Sequence, residues 1–293
     1  MSSERVRAAF TFPADLGVLL ALNSISDAYF VLDGPGCLFY KALLIQGCHD
    51  WSSTLLSCTG NHRFQFCGVS EESPQERVRG VIREVVRIAP RAALMVAPWP
   101  LNKKAKIDYG RLLRQECPSN LTLVPTFRNP REDWLDGYAT VLETLAEGID
   151  LRGARPRRGT VAIVGYLMDR GEGEHRGNVK ELGRICRALG LRLVSVWLSG
   201  GSIAELRAVR DAGVIISLPH GRRAAAVLAR RLKADLIEAE IPLGLGRTEA
   251  WIRLVAAGAG RQRLAESYIA KELGRIIPRL EWVVPYALLN RKI

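Results

Sequence analysis

Ala28-Tyr29-Phe30-Val31-Leu32-Asp33-Gly34-Pro35-Gly36-Cys37 runs from an apolar stretch into a glycine–proline turn that ends on a cysteine. The apolar and aromatic residues from Ala28 to Leu32 predict a buried strand. The run from Leu38 to Gln46 predicts a helix, so Cys37 falls at the tip of a strand-to-helix turn. Glycine lets the backbone come close to a bound group, and a helix N-terminus favours negative charge. The combination suits a thiolate and an anionic cluster. Cys48, Cys58 and Cys67 follow at intervals of about ten residues. That spacing is wider than the C-x2-C-x2-C runs of ferredoxins. It leaves two readings open, cluster ligands or four buried thiols.

Outward from this stretch, short apolar runs alternate with helical patterns. The first half offers strands at Ala28–Leu32, Arg63–Cys67, Ala92–Val96 and Leu121–Pro125. Helices are predicted at Leu38–Gln46, Pro74–Ile88, Lys106–Glu116 and Trp134–Ile149. Such alternation marks βαβ units and a parallel sheet. The basic stretch from Arg152 to Gly159, with Gly and Pro and little apolar content, reads as a linker. The pattern then restarts with strands at Val161–Gly165, Leu193–Leu198, Val214–Leu218 and Asp235–Ala239. Leu182, Ile185, Cys186 and Leu189 form a helical stripe, Ser202 caps a helix beginning near Ile203, and Ala224–Leu232 is a further helix. From Thr248 to Ile276 one long helical region is predicted, interrupted by Pro278. The fold class is therefore α/β, with two Rossmann-like doubly wound parallel-sheet domains over residues 1–152 and 153–293, the second closed by helices.

Composition narrows the function classes. The chain has 293 residues, 48% hydrophobic and 25% charged, which is ordinary for a globular protein. It has no run of about 18 apolar residues, so no membrane-spanning helix is predicted. The start, Met1 to Arg7, lacks the long apolar region of a signal peptide. A cytoplasmic protein is expected, in which six cysteines are thiols or metal ligands rather than a disulfide framework. The net charge of +12 can mean nucleic acid or an acidic protein partner. The basic residues form no aromatic-interleaved stripe, and no zinc-finger or RNA-recognition signature is present, so neither nucleic acid nor membrane is expected as a partner.

No P-loop occurs, so the chain is not expected to hydrolyse ATP by itself. Gly171 to Gly177 lacks dinucleotide-loop spacing, and its acidic residues would repel a pyrophosphate. No nucleophile elbow is present. His49 and His62 lie near the cysteines and read as ligands, proton donors or solvated surface groups. His220 follows Pro219 at a strand end. Cys186 reads as core and Cys117, at a helix end before Pro118, as structural.

The order of motifs resembles the nitrogenase component 1 family, which includes the nitrogenase subunits, their cofactor scaffold proteins and the dark-operative protochlorophyllide and chlorophyllide reductases. Gly34-Pro35-Gly36-Cys37 resembles that family's Gly-Pro-x-Gly-Cys ligand turn with one residue deleted. Phe66-Cys67-Gly68-Val69-Ser70-Glu71-Glu72 resembles its FGG segment, Cys67 replacing the first glycine. Val161 to Gly165 is similar to the opening of the second domain, and Pro242 to Glu249 to a Pro-x-Gly-x-x-x-Thr segment. Leu280-Glu281-Trp282 resembles the helix leading to the family's third domain, so a shortened form without that domain is expected. The family's first ligand cysteine would fall near Thr11 or Phe12 and its third near Ala97-Pro98, where no cysteine stands.

The resemblance implies an oxidoreductase subunit. Cys37 would ligate an iron–sulfur cluster between subunits, lined by Gly34, Pro35, Gly36 and Gly68, with Cys67, Cys58 and Cys48 as local substitutes for the missing ligands. It implies electron delivery by a separate ATP-dependent iron–sulfur reductase, and a homo-oligomer or a hetero-oligomer with a related subunit. The alternative it leaves is a non-catalytic scaffold, assembly or regulatory partner of such an enzyme.

Overall fold

Period-two alternation puts Tyr29 and Val31 on one face of their strand and Ala28 and Phe30 on the other, and all four are buried. A strand buried on both faces needs helices on both sides. A computed structural model supplies them; it describes residues 14–33, 64–67, 73–90, 93–98, 107–118, 122–123, 132–167 and 174–281. The first half contains α1 (Ala14–Asn23), β1 (Ala28–Asp33), β2 (Phe64–Cys67), α2 (Pro74–Ile88), β3 (Ala93–Pro98), α3 (Tyr109–Glu116), β4 (Thr122–Leu123) and α4 (Trp134–Gly148). Its sheet has the order β2-β1-β3-β4, all parallel.

The second half repeats the plan. It contains β5 (Arg157–Val164), α5 (His175–Ala188), β6 (Arg192–Val196), α6 (Ile203–Arg207), β7 (Ala212–Ser217), α7 (Arg222–Leu232), β8 (Asp235–Glu238), α8 (Leu245–Gly258) and α9 (Gln262–Glu281). Its sheet is β6-β5-β7-β8, again parallel. Both sheets reverse direction between their first and third strands, and ligands of open α/β sheets bind beyond the carboxyl ends at such switch points. The α/β class with Rossmann-like parallel sheets is thus the observed one.

Local chemistry explains the helix limits. Pro74 occupies the first turn of α2, and the Ser73 hydroxyl accepts from the Glu76 N–H at 3.3 Å. Val78, Ile82 and Val85 recur at helical spacing and are the buried residues of α2. Asp133 and Asp136 form a reciprocal capping box at the start of α4.

Three apolar clusters hold the layers. One joins Tyr29 and Val31 to α2 and α3. Another joins Val161 and Ile163 to α5, α8 and α9. The third runs between the sheets, from Phe30 and Met95 through Tyr138 and Leu142 of α4 to Ala162, Trp197 and Leu228. Within that layer α1 crosses α4 at two glycines. A Cβ on Gly17 would lie 1.6 Å from the Trp134 carbonyl oxygen, and one on Gly137 would lie 1.9 Å from that of Ala14. Backbone bonds from Ser26 N to the Gly201 oxygen and from Gly200 N to the Ser24 oxygen, both 2.9 Å, tie the halves at one end. The Asp27 carboxylate adds to them by accepting from Ile203 N at 2.8 Å.

Four expectations change. Helix α1 was not predicted, because Leu16, Val18, Leu19, Leu20 and Leu22 make it apolar all round and leave no periodic stripe. The last part of the predicted linker is strand, since β5 begins at Arg157 and Arg157 pairs with Ala212. The long C-terminal helix is two helices, parted where Gly260 takes a left-handed φ of 68°. Pro278 does not interrupt the second of them; it lies inside α9, which continues to Glu281. A proline forfeits the bond from its own N–H to the residue 274 carbonyl and crowds that carbonyl, and α9 carries this cost three residues before its end.

Candidate functional site

The carboxyl edge of the first sheet is built from the ends of three adjacent strands. Asp33, the last residue of β1, is in register with Cys67, the last of β2, and with Pro98, the last of β3. The sheet therefore brings Cys67 to the edge from which the chain leaves β1 toward Gly34. Cys37, Cys48 and Cys58, with Gly34, Pro35, Gly36 and Gly68, lie outside the described residues, as do His49 and His62.

Asp33 is a carboxylate with no solvent exposure. Among the described residues, side chains from two different helices meet it. Arg77, on the first turns of α2, donates from Nη2 to Oδ1 at 3.2 Å. Tyr109, the first residue of α3, donates its hydroxyl to Oδ2 at 2.6 Å. A buried charge survives only when paired and hydrogen-bonded in this way. The arginine side chain is 16% exposed, and its Nε is buried with no hydrogen-bond partner. An acidic residue ending an apolar strand just before a glycine turn was a legible signal for Asp33. Nothing local in the sequence marks Arg77 or Tyr109, which reach the carboxylate across 44 and 76 residues of chain.

The second sheet's switch point is built differently. Gly165, with a φ of 95°, follows β5, and a Cβ there would meet Gly221 N at 2.4 Å. Two glycines thus let the segments after β5 and β7 touch backbone to backbone. Arg222 braces the same edge, donating to the carbonyls of Ser217 at 2.6 Å and Ala239 at 3.0 Å. His220 sits in the short turn Pro219–Gly221. Burial pushes its pKa below the ordinary imidazole value, opposed by the nearby Asp133 and Glu240 carboxylates. His175 is the first residue of α5. Among the described residues, no group of three or more His, Cys, Asp or Glu side chains is arranged to hold a metal ion. Among them also, no helix is long and apolar enough to cross a membrane.

Cys117 and Cys186 are buried thiols away from this edge. Cys117 is the C-terminal cap of α3 and donates its thiol to the Leu113 carbonyl at 3.1 Å, while Cys186 packs within α5. Burial raises their pKa values to about 11 and about 12, respectively. Only the thiolate is nucleophilic. In native protein at pH 8, mass-mapped alkylation with iodoacetamide is expected to leave both unmodified while unfolding in urea exposes both. Prompt native labelling of either would contradict their core placement.

The comparisons with known proteins agree with the fold. The family model described as Nitrogenase component 1 type Oxidoreductase matches residues 13–286. The structure of nitrogenase Cp1 at pH 6.5 superposes with a TM-score of 0.70 at 13% identity, covering 92% of this chain and 61% of that one. The structure of nitrogenase Cp1 at pH 5 gives a TM-score of 0.67 at 16% identity, covering 93% of this chain and 56% of that one. This chain therefore spans about three fifths of the length of the nitrogenase chains it resembles. No curated protein matches the sequence.

Proposed function

Since this chain belongs to the nitrogenase component 1 type oxidoreductase family, we propose that it is a nitrogenase-like oxidoreductase component holding an iron–sulfur cluster at the carboxyl edge of its first sheet. Cys37 and Cys67 are the leading ligands, joined by Cys58, Cys48 or both, and Gly34, Pro35, Gly36 and Gly68 let the backbone close on the group. The observation that carries this reading is the register of Cys67 with Asp33. It sets one cysteine at the strand end from which the Cys37 turn departs, and Cys37 stands only four residues further along the chain. Thiolates are the soft ligands that iron–sulfur clusters require. The buried Nε–H of Arg77, without a partner, is a donor suited to an anionic group at the same edge. When bound, such a cluster stores and passes single electrons.

In this reading a separate ATP-dependent iron–sulfur reductase supplies the electrons. The cluster lies at a subunit interface of a homo-oligomer or of a hetero-oligomer with a related chain. The protein works in the cytoplasm without nucleic acid or membrane, with domains over residues 1–152 and 153–293. The test is iron and acid-labile sulfide content after anaerobic purification. Wild-type protein is expected to carry both in comparable amounts, and Cys37→Ala or Cys67→Ala to lose most of each. A colourless, iron-free wild type, unchanged by Cys37→Ala, would sink the proposal.

A second reading is favoured by the absence of cysteine near Thr11 or Phe12 and near Ala97-Pro98, where the family's first and third ligands would fall. It is a non-catalytic scaffold, assembly factor or regulatory partner that binds a component 1 subunit of a nitrogenase-like enzyme. Stable co-purification with such a subunit and no turnover when a reductase is supplied would favour it. Turnover by this chain with a reductase alone would exclude it.

A further inference from the structure

The two sheets have the same strand order, so the ends of their central strands can be compared. β5 ends on Val164 and β1 on Asp33, and both residues are fully buried. The fold thus accepts a plain apolar residue at this position. A buried ion pair is seldom more stable than a well-packed apolar pair of similar volume, so stability alone does not account for Asp33 and Arg77. Leaving a buried donor unmade costs about 1–3 kcal/mol, so an unmade donor beside a candidate site is suited to a bound acceptor. Arg77 leaves Nε–H unmade. That atom belongs to the same guanidinium whose Nη2 is 3.2 Å from Asp33 Oδ1, and Asp33 is the register partner of Cys67.

Resting on the cluster reading above, we propose that Arg77 is the hydrogen-bond donor of this edge, giving its spare Nε–H to reduced sulfur there, either a cluster sulfide or a ligating thiolate. Asp33 and Tyr109 hold the guanidinium in place for it. Asp33 balances the arginine's charge, so the net charge of the site changes little and the hydrogen bond itself carries the effect. A donor to sulfur stabilises the more negative, reduced cluster and so raises its potential.

The experiment uses full-length protein, reconstituted anaerobically and titrated redox-potentiometrically with electron paramagnetic resonance detection. The double variant Asp33→Asn with Arg77→Met leaves the summed charge unchanged, keeps an oxygen acceptor for the Tyr109 hydroxyl and sets a methyl group where the Nε–H stood. It is expected to fold and to load iron like wild type, with a midpoint potential shifted to more negative values and altered g-values. Arg77→Lys, which keeps the charge without the planar fork, is expected to shift the potential the same way. A wild type that takes up no iron overturns the cluster reading and this role together. A loaded wild type whose double variant has the same potential and signal overturns the role of Arg77 alone. Reduced loading with an unchanged signal in the loaded fraction reduces Arg77 to a structural part, and also overturns it.

Discussion

Gly137→Ala is expected to destabilise the protein by about 3 kcal/mol or more, although it adds a single methyl group. Overpacking a core ordinarily costs about 1–3 kcal/mol because side chains can shift. Here the obstruction is backbone: the new Cβ would stand 1.9 Å from the Ala14 carbonyl oxygen, with the Ala14 carbonyl carbon at 2.7 Å. Relief requires α1 to move off α4, which strips Val18, Ala21 and Leu22 from Tyr138, Val141 and Leu142 in the layer between the sheets. Gly17→Ala should behave alike, with its Cβ 1.6 Å from the Trp134 oxygen. The matched control is Gly80 in α2, where a Cβ meets nothing within 4 Å. Alanine there should stabilise by up to about 1 kcal/mol through helix propensity. Urea unfolding followed by circular dichroism separates the three variants. A Gly137→Ala midpoint equal to that of the parent would mean that α1 and α4 are not in this contact.

Asp33→Ala is expected to cost about 3–5 kcal/mol, the usual result of removing one partner from a buried ion pair. Arg77 would keep its charge, mostly buried, and Tyr109 would lose the acceptor 2.6 Å from its hydroxyl. Asp33→Asn, which keeps one acceptor oxygen and the shape of the side chain, should cost less. A double-mutant cycle with Arg77→Leu should return part of the loss, since the stranded charge is then gone. Equal losses for Asp33→Ala and Asp33→Asn would show that the carboxylate's hydrogen bonds do not matter. With total stabilities of about 5–15 kcal/mol, Asp33→Ala is expected to reach the cell mostly as degraded protein.

Much of the fold was legible because it is written in local patterns. Pro74–Ile88 is the predicted helix residue for residue, since Ser73, Pro74 and the Val78, Ile82, Val85 stripe are all local signals. Cys186 was recognisable as core from its place beside Leu182 and Ile185. Ser202 was recognisable as a cap and accepts from Glu205 N at 3.3 Å. Helix α1 was missed because it is apolar on every side, which is the mark of a helix packed between layers rather than on a surface. The break at Gly260 and the passage through Pro278 were missed because both depend on the exact turn of a helix.

Of the proposed site, the sequence supplied the candidate cysteines. The Gly34–Cys37 motif, the strand before it and the order of segments around it can all be read from a string of residues, since each is a matter of neighbours in the chain. Only the tertiary structure paired Cys67 with Asp33 and carried Arg77 and Tyr109 to the same carboxylate. The reason is geometric. Parallel strands bring their carboxyl ends together only after each crossover has closed, so the register that sets Asp33 opposite Cys67 is a property of the assembled sheet. The chain thus specified by itself which residues have the chemistry to hold sulfur and charge. The folded sheet decided which of them meet.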